Sequence, residues 1–472
     1  MCYNICNLTE EIGGKNMLSC DTFALTKEYY AGSVNLLAKN SDRPLGEAQP
    51  LAFYQGGVHA PGEMLQCTHL TIPQAERTYT VLGSRPYWIW GFEMGVNECG
   101  LVIGNEAEGS RCEAESEEGL LGMDLLRLAL ERAASAREGV DVIASLLEKY
   151  GQNANASLLF DRRYENSFML VDREEIWLLE TAGRQWAARK VKDWAAISNC
   201  YSIGSEYDLC SAELESYARS RRWLRPDEKF DFSKAYTQPA ARQGQSTPRW
   251  RRLQKLIAAH NAPLDRAAAT AILRDHFDGE IIEPRWGQMY GGFVTICMHA
   301  MTWDVSQTAA SLVSCWHDRL GQVSWYAPSV PCCSVYIPVY WTGDVPEAMK
   351  RAEGTYDENS LWWRVERLAM LVSADEARFG EKTRAALRRL EDEIALRAAA
   401  AEKEACDRLD DGDSTSAWAL LAQTTEWAVQ KVMALSEELS REISDAIRQD
   451  GGLYGPRKEF LEDYSQKTKL PL

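Results

Sequence analysis

The sequence predicts an α+β protein: sheets packed face to face, helices on their outer sides, and a helical C-terminal third. Three observations carry this. Short β-forming runs recur as meanders from Cys20 to about Tyr340, and a pair of amphipathic helices interrupts them. Beyond Leu361 the chain turns Ala-, Glu-, Arg- and Leu-rich with helical spacing. Meanders broken by a helical pair fit layered sheets with helices outside.

Taken in order, Cys20-Asp-Thr-Phe-Ala-Leu-Thr26 alternates and carries β-formers. A turn containing Gly32 follows, and Val34-Asn-Leu-Leu-Ala38 reads as the hairpin partner. Residues 78–82 and 101–103 are further strands. Residues 168–171 and 176–179 form a second hairpin around the turn at 172–174, and 186–191 and 195–198 continue that series. Residues 119–134 place Leu121, Leu125, Leu128 and Ala129 on one helical face, and 140–149 do the same with Val142, Ile143, Leu146 and Leu147. In the C-terminal third, 361–371, 382–409 and 414–443 are helical, with Asp410-Asp411-Gly412-Asp413 as break and N-cap. The chain divides accordingly into a leader (1–19), a main domain (20–345) and a helical extension (346–472). That extension packs on the main domain or on a second subunit, which makes the C-terminal helices the expected homo-oligomer contact.

Composition narrows the function. A net charge of −17 argues against nucleic acid as a general partner, since most of the surface repels phosphate. The thirteen cysteines are odd in number and spread along the chain, unlike a disulfide framework. Polar Asn4, Asn7, Glu10, Glu11 and Lys15 leave no apolar secretory segment, and no run is long enough for a bilayer. A reducing cytoplasm and no membrane partner are expected. Cys2/Cys6 and Cys332/Cys333 lack a second pair or a histidine at ligand spacing, so neither metal nor cofactor is expected.

Cys20 is the candidate nucleophile. It follows a polar leader ending in the small residue Ser19 and opens the first hairpin. A cysteine freed at a chain end carries its own base, because an α-amino group has a pKa of roughly 7.7–8.0. Such an amine takes the thiol proton without a histidine, which suits a chain whose six histidines are scattered. The second strand ends in Lys39-Asn-Ser-Asp42. Running back beside the first, it brings Asp42 near the amine and Lys39 near a thiolate. The same residues also read as a charged strand end leading into Arg43-Pro44.

Several stretches, in order, resemble one family. They are Cys20 with Lys39-Asn-Ser-Asp42; Ser84-Arg-Pro-Tyr-Trp-Ile-Trp-Gly91; Glu93-Met-Gly-Val-Asn-Glu-Cys-Gly-Leu101; Gly104-Asn-Glu-Ala107; and Leu121-Gly-Met-Asp-Leu-Leu-Arg127. Ile197-Ser-Asn199, Leu273-Arg-Asp-His-Phe-Asp-Gly279 and Pro331-Cys-Cys-Ser-Val-Tyr-Ile-Pro338 complete the series. The pattern resembles the cysteine dipeptidase family that includes the secernins, related to bile-salt hydrolases and penicillin V acylases. The segment from Ser84 to Arg127 is most similar to secernins.

The resemblance implies a four-layer αββα sandwich of the N-terminal-nucleophile (Ntn) hydrolases and amide hydrolysis by Cys20. It implies that Asp42 matches the group's aspartate and that Lys39 stands where the wider group has arginine, keeping the charge but losing the planar fork. By the same resemblance Asn199 supplies a side-chain oxyanion donor, Asn105 a backbone donor, and Arg249 is the distal arginine that buttresses the aspartate. Preorganised donors of this kind contribute about 3–4 kcal/mol each. Cys2 is the rival nucleophile, but its gap to Asp42 is too long for two short strands and a turn. Trp88, Trp90, Trp177, Trp186 and Trp250 read as core or pocket wall, and His276 as a helix end. The expected substrate is a small peptide or other N-acyl amide. The alternatives are a secernin-like trafficking or interaction protein with little peptidase turnover, and an acylase or acyltransferase on non-peptide amides.

Overall fold

The computed structural model describes residues 19–113, 115–159, 161–238, 246–260, 263–280, 294–300, 302–303 and 305–472. Of the predicted leader, only Ser19 falls within them. The α+β class holds. A six-stranded sheet runs in the order Trp194–Ser198, Cys20–Leu25, Leu36–Arg43, Gln307–His317, Gly321–Pro328, Ile337–Val339. An eight-stranded sheet runs Leu209–Cys210, Gln185–Val191, Ile176–Ala182, Glu165–Val171, Val102–Glu108, Met94–Asn97, Val81–Ser84, Leu51–Tyr54. Neighbours in both are antiparallel.

Alternation along the Cys20 and Leu36 strands sorts their side chains between two neighbours. Thr22 and Lys39 reach the Val102–Glu108 strand of the other sheet, where they meet Glu106 and Asn105. Asp21 and Asn40 face the opposite way, Asp21 toward the helix Ser246–Ala258 and Asn40 toward the end of the helix Arg266–Leu273. Both strands are buried along their whole length. Their polar side chains therefore need internal partners, and those partners build the site. Helices Gly122–Arg132 and Ala136–Tyr150 pack on the eight-stranded sheet, sharing an apolar cluster with Ile103, Phe168 and Leu179.

The Leu36 strand runs further than its apolar part suggests, because Gln307–His317 pairs with it as far as Arg43. Residues 78–82 are two strands rather than one, Arg77–Thr78 and Val81–Ser84. Between them the Tyr79 N–H donates to Glu131 O (2.8 Å) and the Thr80 N–H to a Glu98 carboxylate oxygen (3.0 Å), which takes the backbone out of the ladder.

The C-terminal helices are Leu361–Ala374, Glu376–Asp410, Ser414–Gln449 and Lys458–Thr468. Asp413 caps the third, accepting the Ser416 N–H at 3.2 Å. Ile394, Leu421 and Val432 join the apolar cluster that holds Phe23 and Leu37, so these helices share a core with the Cys20 sheet. They also cover its edge, where Thr425 Oγ1 donates to Pro338 O at 2.9 Å. No described helix is long and apolar enough to cross a membrane. None of the eleven described cysteines forms a disulfide.

Candidate active site

Strand register assembles the site. Cys20 lies opposite Ser41, so Asp42 falls one residue beyond the hairpin pair. Asp21 lies opposite Ser198, which brings Asn199 beside Cys20 from the other flank. The Asp42 N–H donates to Cys20 Sγ at 3.2 Å. Burial pushes the thiol pKa well up, while the Lys39 charge acts against it and Glu106, Glu93 and Asp42 add to it. In the intact chain the sulfur is therefore held as a thiol.

Lys39 is fully buried. Its Nζ donates to Asn105 O at 2.6 Å and lies 3.7 Å from a Glu106 carboxylate oxygen. Burial alone would lower the pKa of this ammonium, but Cys20, Glu106, Glu93 and Asp42 raise it, so it stays charged. Gly104 makes room for it: a Cβ there would meet Lys39 Cδ at 2.7 Å. Glu106 accepts from Thr22 Oγ1 at 2.5 Å, and burial lifts its carboxyl to about 8 against the pull of Lys39.

Asp42 is buried, which raises its carboxyl to about 6. Its carboxylate lies against the Ser19 and Thr308 hydroxyls, yet neither oxygen makes a hydrogen bond of good geometry among the described residues.

Arg249 is fully buried on the outer side of the sheet. Its Nη1 donates to Cys20 O (2.9 Å) and Asp21 Oδ2 (2.6 Å), and its Nη2 to Asn199 Oδ1 (2.8 Å). The aspartate it pairs with is thus Asp21 and not Asp42, as the sequence suggested. Asp21 projects to the helix side of the strand, whereas Arg249 acts on Asp42 only through its charge. Burial lifts Asp21 to about 7, with Arg249 opposing. Asn199, its oxygen clamped by Arg249, donates through Nδ2 to Ala107 O at 2.8 Å, which leaves the amide's second N–H for another acceptor.

Asn105 departs from its predicted role as backbone donor. Its N–H points to Glu93 O at 3.4 Å, and the group aimed at the Lys39 side is its carbonyl. Its side-chain amide lies between Glu93 and Asn166.

Five of the six predicted residues (Cys20, Lys39, Asp42, Asn199 and Arg249) thus converge, with Asn105 present but turned. The residues missed from sequence are Asp21, Glu106, Glu93 and Arg43, the last donating to Glu93 (3.0 Å) and Glu47 (2.7 Å). Gly104 was the available signal for Glu106, since a mid-strand glycine marks a close approach.

An open cleft of about 320 Å³ lies beside this cluster, lined by Glu108, Asp161, Arg162, Arg163, Tyr164 and Glu165 among others. Glu108 follows the Ala107 that receives Asn199, and Arg162 and Tyr164 lie within electrostatic range of Cys20. Cys20 itself does not line the cleft.

Fold and site define an α+β protein with a buried cysteine opening a central strand, set among a lysine ammonium, an aspartate carboxylate and an arginine-clamped asparagine. Residues 71–271 match the model of Peptidase family C69, a stretch that includes Asn105, Asn199 and Arg249 and begins beyond Cys20, Lys39 and Asp42. The chain is 29% identical over 222 residues to a dipeptidase of Bifidobacterium longum, a match covering 41% of this chain and 39% of that protein. It is 26% identical over 228 residues to a probable dipeptidase A of Streptococcus pyogenes, covering 42% and 44%. The matched stretch thus spans about two fifths of the length of these relatives. Among solved structures it is similar to a conjugated bile acid hydrolase of Clostridium perfringens (TM-score 0.38, 13% identity, 71% of this chain and 95% of that one). A further likeness is to an N-acylethanolamine-hydrolyzing acid amidase ortholog of Caenorhabditis elegans (TM-score 0.32, 8% identity, 62% and 92%). The chain resembles the cysteine dipeptidases, as its ordered motifs indicated.

Proposed function

We propose that the chain is an αββα amidohydrolase of the N-terminal-nucleophile type, a cysteine dipeptidase activated by breaking the Ser19–Cys20 bond. The observation that carries this is the pairing of a buried thiol, which receives the Asp42 N–H at 3.2 Å, with an Asp42 carboxylate that lacks a well-formed hydrogen bond. A buried carboxylate in that state is costly, and an α-ammonium at Cys20 would be its natural donor.

Once free, the Cys20 amine accepts the thiol proton, and Sγ attacks the substrate carbonyl carbon. Lys39 offsets the negative charge on sulfur. The second N–H of Asn199, held by the Arg249 clamp, donates to the developing oxyanion. The C–N bond breaks, the amine of Cys20 returns its proton to the leaving amine, and water then cleaves the thioester. The cleft, with Arg162 and Arg163 beside Asp161, carries counter-charges for both ends of a zwitterionic dipeptide. The family match and the relatives' names support peptide bonds as the target.

The test is amine release from a panel of dipeptides by protein whose N-terminus is Cys20, with Cys20→Ala as control. Hydrolysis lost in the variant supports the proposal. No hydrolysis by correctly processed protein would overturn it, and would favour the secernin-like reading or, if other N-acyl amides are cleaved, the acylase one.

A further inference from the structure

Four side chains outside the Cys20 site meet at one point: His276, Cys297, His299 and Cys332, whose nearest donor atoms all lie within 4.8 Å of one another. They come from three separate segments. His276 follows the helix Arg266–Leu273, Cys297 and His299 precede the strand Gln307–His317, and Cys332 sits in the 3-10 turn Pro331–Cys333. Sequence spacing did not reveal the set, because only Cys297-Met298-His299 is local. Cys332, with no histidine at ligand spacing in the sequence, has two beside it in space, and His276 lies just past a helix end as its sequence suggested.

The separations fit one ion. His276 Nε2 and His299 Nε2 are 3.0 Å apart, and His299 Nε2 is 3.5 Å from both Cys297 Sγ and Cys332 Sγ. A tetrahedral zinc with Zn–N of about 2.0–2.1 Å and Zn–S of about 2.3 Å places nitrogen pairs about 3.3 Å apart and nitrogen–sulfur pairs about 3.6 Å apart. Hydrogen bonding alone accounts for the cluster poorly. One His299 Nε2 faces three other lone-pair-bearing atoms, and the thiol S–H groups that could donate to it are only weak donors. A cation at the centre satisfies all four.

The surroundings hold these donors in place. Arg274 donates to Pro331 O at 2.9 Å and pairs with Glu391 of the long helix Glu376–Asp410. The Cys297 N–H donates to Asp275 O at 3.1 Å. Asn40 Nδ2 bridges Leu273 O and Ile296 O at 2.8 Å each. The Met298 N–H donates to Thr308 Oγ1 at 2.9 Å, and the Thr308 N–H returns to Met298 O at 3.1 Å. Both cysteines are buried and both histidines half-buried.

We infer that His276, Cys297, His299 and Cys332 form a structural zinc site that staples the 294–300 segment to the helix end and to the 3-10 turn. Two thiolates and two neutral imidazoles balance the charge of Zn²⁺ and fill its four positions, as in closed structural sites. The staple backs the Cys20 site at one remove, because Thr308 pairs with Asp42 across the strands. It does not depend on the proposed hydrolase activity.

The experiment is metal analysis of full-length protein purified without chelator, followed by zinc removal under reducing conditions and addition of Co²⁺. About one zinc per chain is expected, and cobalt should give intense tetrahedral ligand-field bands with thiolate charge transfer. The double variant Cys297→Ala/Cys332→Ala should lose both signals, while Cys20→Ala and the exposed-site control Cys210→Ala should keep them. Wild-type protein with neither stoichiometric zinc nor cobalt bands would overturn the inference. So would a folded double variant that still binds, or a Cys297–Cys332 disulfide in the native protein. If the double variant fails to fold, the wild-type zinc and cobalt results decide alone.

Discussion

Replacing Arg249 by methionine tests the clamp that holds the site together. The side chain is fully buried and, among the described residues, makes bonds of 2.6–2.9 Å to Asp21, to the Cys20 carbonyl and to Asn199. Methionine fills much of the volume but leaves the Asp21 carboxylate without its cation. Breaking a buried pair from one side costs about 3–5 kcal/mol, and the stranded Cys20 and Asn199 acceptors contribute within that range rather than on top of it. The loss should be visible in urea unfolding and should shrink at low pH. Burial already holds Asp21 at about 7, and protonation removes the charge that Arg249 no longer meets. The decisive measurement is a double-mutant cycle with Asp21→Asn. Because asparagine removes the orphaned charge, Arg249→Met/Asp21→Asn should be more stable than Arg249→Met alone. If Arg249→Met is as stable as wild type, or if Asp21→Asn adds a further full loss to it, the clamp is not what holds these strands.

Two further outcomes follow from the buried charges and the close packing. Gly104→Ala sets a Cβ 2.7 Å from Lys39 Cδ, so it should destabilise by about 1–3 kcal/mol and pull Nζ off Asn105 O; an unchanged melting temperature would contradict this. Asp21, Asp42, Glu106 and Glu180 all have carboxyls raised by burial, to about 7, 6, 8 and 7. A carboxyl whose folded pKa exceeds its unfolded value keeps its stabilising contribution at low pH and loses it as pH rises through the folded value. Stability should therefore fall as pH rises from the unfolded carboxyl values of about 4 to these folded values, by up to about 1.4 kcal/mol per pH unit for each group. The Asp42 contribution is lost by about pH 6, with Asp21, Glu180 and Glu106 still contributing above it; a melting temperature that rises between about pH 6 and 8 would refute it.

Local pattern carried the two-strand core of the site. Alternation marked the Cys20 and Leu36 strands, and an antiparallel return necessarily brings Asp42 close to Cys20. Helix spacing and the Asp413 cap were equally legible, because both are set within a few residues. What escaped depends on contacts between layers. Glu106 meets Lys39 only where one sheet faces the other, and Arg249 finds Asp21 rather than Asp42 through the placement of the helix Ser246–Ala258 over the strand, which no local window contains. The Asn105 N–H was assigned to an oxyanion but goes to Glu93, a contact set by the neighbouring strand. The break at Tyr79 and Thr80 depends on Glu131 and Glu98, which no local window contains. The histidine–cysteine cluster was hidden for the same reason, its donors being separated by long stretches of chain.

The central claim is that one residue acts as both nucleophile and base after its preceding peptide bond is cut. Intact-mass and N-terminal sequencing of the catalytically competent protein address it most directly. The account predicts a chain beginning Cys20-Asp21-Thr22, with Cys20→Ala neither hydrolysing dipeptides nor removing its own leader. A fully active protein that still carries Ser19 on the amine of Cys20 would contradict it.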